Sequence, residues 1–180
     1  DPGNYIITSY NPKTKEQRSN NITLLATISC NYDLVKYYKN KKTYSVYLHN
    51  LDGSYAKYSK VTFNINGVFY TKTSDNTGYA FLNINLNPGH YIITAMYNSC
   101  FVSNKILVKP TIQTNDLEMN FKDGSAFKTF VTTNEGKPVG AGENVTFNIN
   151  GVFYTKTTNS NSIAALNINL NPGEYIITTY

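Results

Sequence analysis

Residues 61–73 read VTFNINGVFYTKT, and residues 145–157 read VTFNINGVFYTKT again, an offset of 84. In each copy apolar and polar residues alternate, Val61, Phe63 and Ile65 against Thr62, Asn64 and Asn66. That period puts the apolar side chains on one face of a strand. Asn66-Gly67 then supplies two residues that tolerate positive φ, the requirement of a tight hairpin turn, so 68–73 is expected to return antiparallel to 61–66.

Outward from this hairpin the repetition continues. LNINLNPGHYIIT from Leu82 answers LNINLNPGEYIIT from Leu166, and DPGNYIITSY at 1–10 aligns Pro2, Gly3 and Tyr5 with Pro88, Gly89 and Tyr91. More loosely, DLVKYYKNKKTY from Asp33 answers DLEMNFKDGSAF from Asp116. A fixed period of this size marks a tandem array. The chain therefore opens near the end of one repeat and stops near the end of another, as expected of a segment of something larger. The predicted units are 26–109, a complete repeat, and 110–180, a second one lacking its final strand. Residues 1–25 are expected to be the last two strands of a preceding repeat, with 21–26 as its final strand.

Inside the complete repeat, turn residues separate short alternating runs at 33–38, 43–48, 61–66, 68–73, 80–86, 91–97 and 101–108. Seven short strands at this spacing predict an all-β fold of tandem immunoglobulin-like antiparallel β-sandwiches, about seven strands each. Tyr91, and Tyr175 in the second repeat, follow a Pro-Gly corner at the start of the penultimate strand, the place of a tyrosine corner.

The composition agrees: the chain has 16 Tyr, 9 Phe and no Trp in 180 residues, and lacks runs rich in Ala, Leu, Glu and Lys. The net charge of +5 is scattered apart from the run 36–42, KYYKNKK, and no nucleic-acid motif accompanies it. A weakly basic surface suits anionic cell-wall polymers. No apolar run is long enough to span a bilayer.

Chemistry is sparse. His49 and His90 are the only side chains with an ordinary pKa near neutrality, and His90 is replaced by Asn4 and Glu174 at the equivalent positions. His49, beside the Asp52-Gly53 turn, is expected to be solvated. No GxSxG, HExxH, CxxC, EF-hand or phosphate-loop pattern occurs. The expectation is no catalytic residue, no cofactor and no metal site; Asp75-Asn76 reads as a turn.

Cys30 precedes the first expected strand of the complete repeat and Cys100 its last, two places that lie at the same end of such a sandwich. A disulfide between them is the expected arrangement, the alternative being two unpaired thiols; closing a loop of roughly 70 residues would stabilise the repeat by about 4 kcal/mol. Asn21-Ile22-Thr23 and Asn144-Val145-Thr146 are N-glycosylation sequons. The ladders Asn83, Asn85, Asn87 and Asn167, Asn169, Asn171 are expected to form solvated faces.

The phrase VTFNINGVFYTKT, a polar turn, then LNINLNPGxYIIT resembles the immunoglobulin-like, Big-type repeats of adhesin-like surface proteins from methanogenic archaea. The resemblance covers essentially the whole chain. It implies an extracellular, modular, non-catalytic protein in which tandem domains act as stalk or spacer. The expected partners are neighbouring repeats; the register of the termini adds the hypothesis of a homopolymer formed head to tail by strand donation, the simpler alternative being that the sequence is a window of one continuous chain. The alternative is a carbohydrate-binding module recognising cell-wall or host glycans through Tyr37, Tyr38, Tyr55, Tyr58 and Tyr70. The second repeat keeps few of these rings, with Asn120 and Phe121 at the places of Tyr37 and Tyr38.

Overall fold

A computed structural model describes residues 2–180; Asp1 of the opening DPG phrase lies outside the described residues. The chain is all-β, with sixteen strands and, among the described residues, no helix. It divides into two compact units, the first formed by Asp1–Val35, Lys41–Ile84 and His90–Leu107, the second by Lys36–Asn40, Asn85–Gly89 and Val108–Tyr180.

The chain opens with a hairpin of β1 (Gly3–Tyr10) and β2 (Gln17–Leu24), paired from Gly3 opposite Leu24 to Tyr10 opposite Gln17. Every residue of both strands is exposed.

The first repeat follows as two sheets. β3 (Ile28–Ser29), β5 (Thr43–Leu48) and β8 (Tyr79–Asn83) form one, in the order β3-β5-β8. β4 (Leu34–Tyr37), β6 (Lys60–Ile65), β7 (Val68–Thr73), β9 (Gly89–Tyr97) and β10 (Cys100–Lys109) form the other, ordered β4-β10-β9-β6-β7. All seven expected strands are present. β3 is an addition: the entering strand breaks after Ser29 and its second half, β4, joins the opposite sheet. Cys30 sits in the crossover with φ 54°.

The alternation read from sequence is the burial pattern. Val61, Phe63 and Ile65 are buried in β6, facing Tyr44, Val46 and Leu48 of β5, and Tyr44 meets Phe63 edge to face with centroids 5.8 Å apart. An edge-on aromatic pair adds roughly 1 kcal/mol to its area term. Asn66 and Gly67 take φ 51° and 80°, as the two-residue turn requires.

The second repeat uses the same scheme with fewer strands. β11 (Ile112–Thr114), β12 (Ala126–Val131) and β15 (Ile163–Asn167) form one sheet. β13 (Asn144–Ile149), β14 (Val152–Thr157) and β16 (Ile177–Thr179) form the other, ordered β14-β13-β16. Phe127 and Phe147 reproduce the edge-on pair at 6.0 Å, within a core of Val145, Ile149, Ala164 and Leu166. Thr129 occupies the place of Val46; its hydroxyl is fully buried and without a hydrogen-bond partner.

Candidate functional site

The sheet β14-β13-β16 ends at β16, and no strand lies on its free side among the described residues. In the first repeat the corresponding strand, β9, is nine residues long and held between β6 and β10. β16 has three. Tyr175 and Ile176, just before it, stand 41% and 83% exposed.

Beside this edge the core is open. A groove of about 840 Å³ runs along it, with Phe127, Ile149, Ile168, Leu170 and Ile177 on its apolar floor and Asn115 and Asp116 on its rim. In the first repeat the same seam is filled by β10, whose Ile106 and Val108 are each 1% exposed.

The amino-terminal hairpin is built like the β9–β10 hairpin that fills that seam. The hydroxyls of Thr94 and Ser103 meet at 2.9 Å across β9 and β10, and those of Thr8 and Ser19 meet at 2.9 Å across β1 and β2. This shared pair sets the correspondence. Ser19-Asn20-Asn21-Ile22-Thr23-Leu24 matches Ser103-Asn104-Lys105-Ile106-Leu107-Val108, and Ile7 matches Ile93. Ile93 is 0% exposed; Ile7, Ile22 and Leu24 are 51%, 40% and 49% exposed. The hairpin therefore carries the face of a core-filling element with no core beneath it. An isolated two-stranded hairpin is marginal in water.

The residues singled out from sequence lie as follows. Cys30 is exposed in the crossover and Cys100 is buried at the start of β10; they are separate thiols in the structure, without the expected bridge. The segments that hold them do run side by side, tied by Thr27 Oγ1 donating to Tyr97 O and Asn31 Nδ2 donating to Asn104 Oδ1. Asn21 on β2 and Asn144 at the start of β13 are both exposed. The Tyr175 hydroxyl donates to Asn171 O at 2.9 Å, four residues upstream, and Tyr91 is half-buried in β9.

The five tyrosines proposed as a sugar-facing group do not form one cluster. Tyr37 and Tyr38 are half-buried, with Lys109 and Lys39 over their rings; Tyr58 lies in a loop and Tyr70 on edge strand β7. Only Tyr55 joins a ring array, whose other members sequence reading missed. His49, Tyr55, Tyr47, Tyr79 and Phe81 follow one another with centroids 5.2–6.0 Å apart. His49 is half-buried rather than solvated, because its ring packs on Tyr55 and its Nε2 lies 2.6 Å from Ser29 Oγ. His90 is exposed. Lys36, from the basic run, is buried and donates to Asn40 O; burial holds its ammonium below the ordinary lysine range.

Asp75 accepts the Thr77 N–H, the Thr77 hydroxyl and the Tyr79 N–H at 2.7–3.1 Å, the closed hydrogen-bond set of a turn, which holds its carboxyl below the ordinary range. Both Asn ladders are exposed.

No protein-family model and no curated protein matches the chain. Among solved structures it is similar to a Ca2+-stabilized adhesin with which an Antarctic bacterium binds ice, at 16% identity and TM-score 0.24 over 98% of this chain and 54% of that one. It is similar to domains 4–9 of the surface layer protein SbsC at 14% identity and TM-score 0.35, over 99% of this chain and 33% of that one. The FN1–FN3 domains of chicken CNTN1 match at 13% identity and TM-score 0.26, over 91% and 64%. The chain thus spans less than two thirds of each, and at such scores no residue role transfers.

Proposed function

We propose that this chain is a non-catalytic structural and adhesive region of an extracellular surface protein, in which the β-sandwich repeats act as stalk and spacer and chains join head to tail by strand donation. The observation that carries this reading is the repetition: the phrase at 61–73 recurs at 145–157, and each copy folds as the same hairpin of a β-sheet, β6–β7 and β13–β14. The likeness of β2 to β10 supports the strand joint.

The energetics favour the exchange. Ile22 and Leu24 are each about half exposed, so seating both removes enough apolar surface for roughly 1–2 kcal/mol apiece. Such a joint is β-strand addition, in which main-chain bonds give affinity and alternate side chains give specificity. A strand joint between different surfaces of two chains is a heterologous contact, which grows open filaments when the rotation does not close. Each sandwich, whose longest strands in the first repeat, β9 and β10, have nine and ten residues, would add roughly 30 Å.

Sedimentation velocity of the chain across a micromolar concentration series tests this reading. Species growing stepwise with concentration support it; a single monomer throughout overturns it.

One observation favours glycan recognition as a second activity of the first repeat. The ring array includes Tyr55 and Phe81, which are 53% and 47% exposed, a surface on which sugar C–H faces could stack. In the second repeat Phe130, Ile163 and Ala165 occupy the places of Tyr47, Tyr79 and Phe81, so binding would belong to one repeat only. Calorimetric titration with soluble cell-wall polysaccharide, comparing the chain with its Tyr55→Ala variant, tests it: heat lost in the variant supports the site, and no heat with either overturns it.

A further inference from the structure

The ring array of the first repeat lies on the outer face of the sheet β3-β5-β8. Tyr44, Val46 and Leu48 of β5 are buried, and so are Ala80 and Leu82 of β8. The residues between them, Ser45 and Tyr47 on one strand and Phe81 and Asn83 on the other, therefore look outward. The pairing sets Tyr47 opposite Tyr79 and Ser45 opposite Phe81. Consecutive rings from Tyr55 through Tyr47 and Tyr79 to Phe81 are 5.3–6.0 Å apart and tilted by 32–59°. They form a twisted apolar row.

Tyr55 comes from a loop, and that loop is pinned. Asn50 N–H donates to Ser54 O at 2.8 Å and Ala56 N–H to Leu48 O at 2.9 Å, while Asp52 accepts the Ser54 N–H and hydroxyl at 2.9 and 2.6 Å. Beside Tyr55 is Gly78, with φ 79°; a Cβ there would stand 2.8 Å from Leu48 O and 3.1 Å from Tyr55 Cβ. A glycine is thus what leaves room for Tyr55 against the sheet. In the second repeat the bridge that joins His49 to Tyr55 joins Thr132 to Pro138, and Ser162 stands at the place of Gly78. A surface held in place before its ligand arrives loses less freedom on binding.

The face carries no charge of its own. Its outward positions on β5 and β8 are hydroxyls, rings and an amide. In the adjoining turns the Asp52 and Asp75 carboxylates are engaged within their own turns, and Lys57 follows Ala56. The net charge of +5 is not gathered here. Beside Phe81, the Ser45 hydroxyl and the Asn83 amide make no side-chain hydrogen bond among the described residues.

We infer that this face binds an uncharged polysaccharide, with sugar rings stacked on Tyr55 and Phe81, Ser45 and Asn83 bonding sugar hydroxyls, and Gly78 positioning Tyr55. This rests on the glycan reading of the same rings and adds the charge class of the ligand and the residues that hold it. A polyanion would meet no cation on the platform to offset its desolvation. A neutral pyranose brings C–H faces to the rings and hydroxyls to the hydroxyl and amide groups.

Calorimetric titration of the full chain with cellohexaose, xylohexaose and maltohexaose, and with an oligogalacturonate, at low and high salt tests this. Binding of at least one neutral sugar, unmoved by salt, is expected, and none of the oligogalacturonate. Phe81→Ala, outside the core, should weaken binding about tenfold. Gly78→Ala should weaken it too, yet cost nothing further in a Tyr55→Ala chain, because it acts through that ring; a further loss there would overturn the positioning role. No heat with any sugar would overturn the glycan reading itself. Oligogalacturonate bound more tightly and released by salt would leave glycan binding standing and overturn the uncharged class. Neutral binding unchanged by Phe81→Ala would overturn the placement.

Discussion

Ile106 in β10 and Ile22 in β2 hold the same place in two hairpins, yet Ile106 is 1% exposed and Ile22 40%. The chain thus displays one element twice, once seated in a core and once in water. Replacing Ile22 and Leu24 by Asp should abolish self-association at micromolar concentration. The melting of the two sandwiches should not move, because neither side chain contributes to their cores. Sedimentation and circular dichroism on the same samples check both halves; assembly that survives the double substitution would mean the hairpin is not the donor.

Thr129 carries a fully buried hydroxyl with no partner at a site where the first repeat has Val46. Thr129→Val removes the desolvated group and keeps the shape. It should stabilise the second repeat by about 1 kcal/mol in denaturant unfolding. A destabilised variant would show that the hydroxyl has a partner in solution.

Burial, followed by the nearby Asp33 carboxylate, pushes the Tyr44 phenol up to about 12 from 10.0. A raised folded value means that the folded state holds its proton longer than the unfolded one. The stability linked to Tyr44 is therefore intact below pH 10 and is lost as pH rises through about 12. Tyr44→Phe should flatten this decline; Lys36, whose shift has the opposite sense, is common to both proteins and cancels. Phe127 at the equivalent place shows that a phenyl ring fits. Phenolate absorbance should also show a late step near pH 12 that the Tyr44→Phe variant lacks.

With Cys30 exposed and Cys100 buried as separate thiols, a maleimide should label one cysteine of the folded chain rapidly and the second only on unfolding. Protection of both thiols without reductant, lifted by reductant, would show instead that the two side-by-side segments have closed a bridge.

Much of the architecture is legible from local pattern. The alternation Val61, Phe63, Ile65 is the buried face of β6, and Asn66-Gly67 is the turn, because period two and positive φ are local properties. The two-residue strand β3 is not legible: a run that short has no period, and its place is decided by Leu48 and Tyr47 across the sheet. The same crossover leaves Cys30 exposed, which strand order alone does not reveal. The rings of Tyr47, Tyr79 and Phe81 looked like ordinary strand residues until the pairing of β5 with β8 aligned them. The hydrogen bonds that join Asn104 to Asn31, Asp33 and Tyr44 are not legible for a related reason: Asn104 lies 60 or more residues from each of them.

Electron microscopy of the unmodified chain at micromolar concentration tests the central claim most directly. The account predicts filaments whose repeat matches the sandwiches in series and which fail to form when residues 1–26 are removed. Isolated particles, or filaments that persist without those residues, would contradict it.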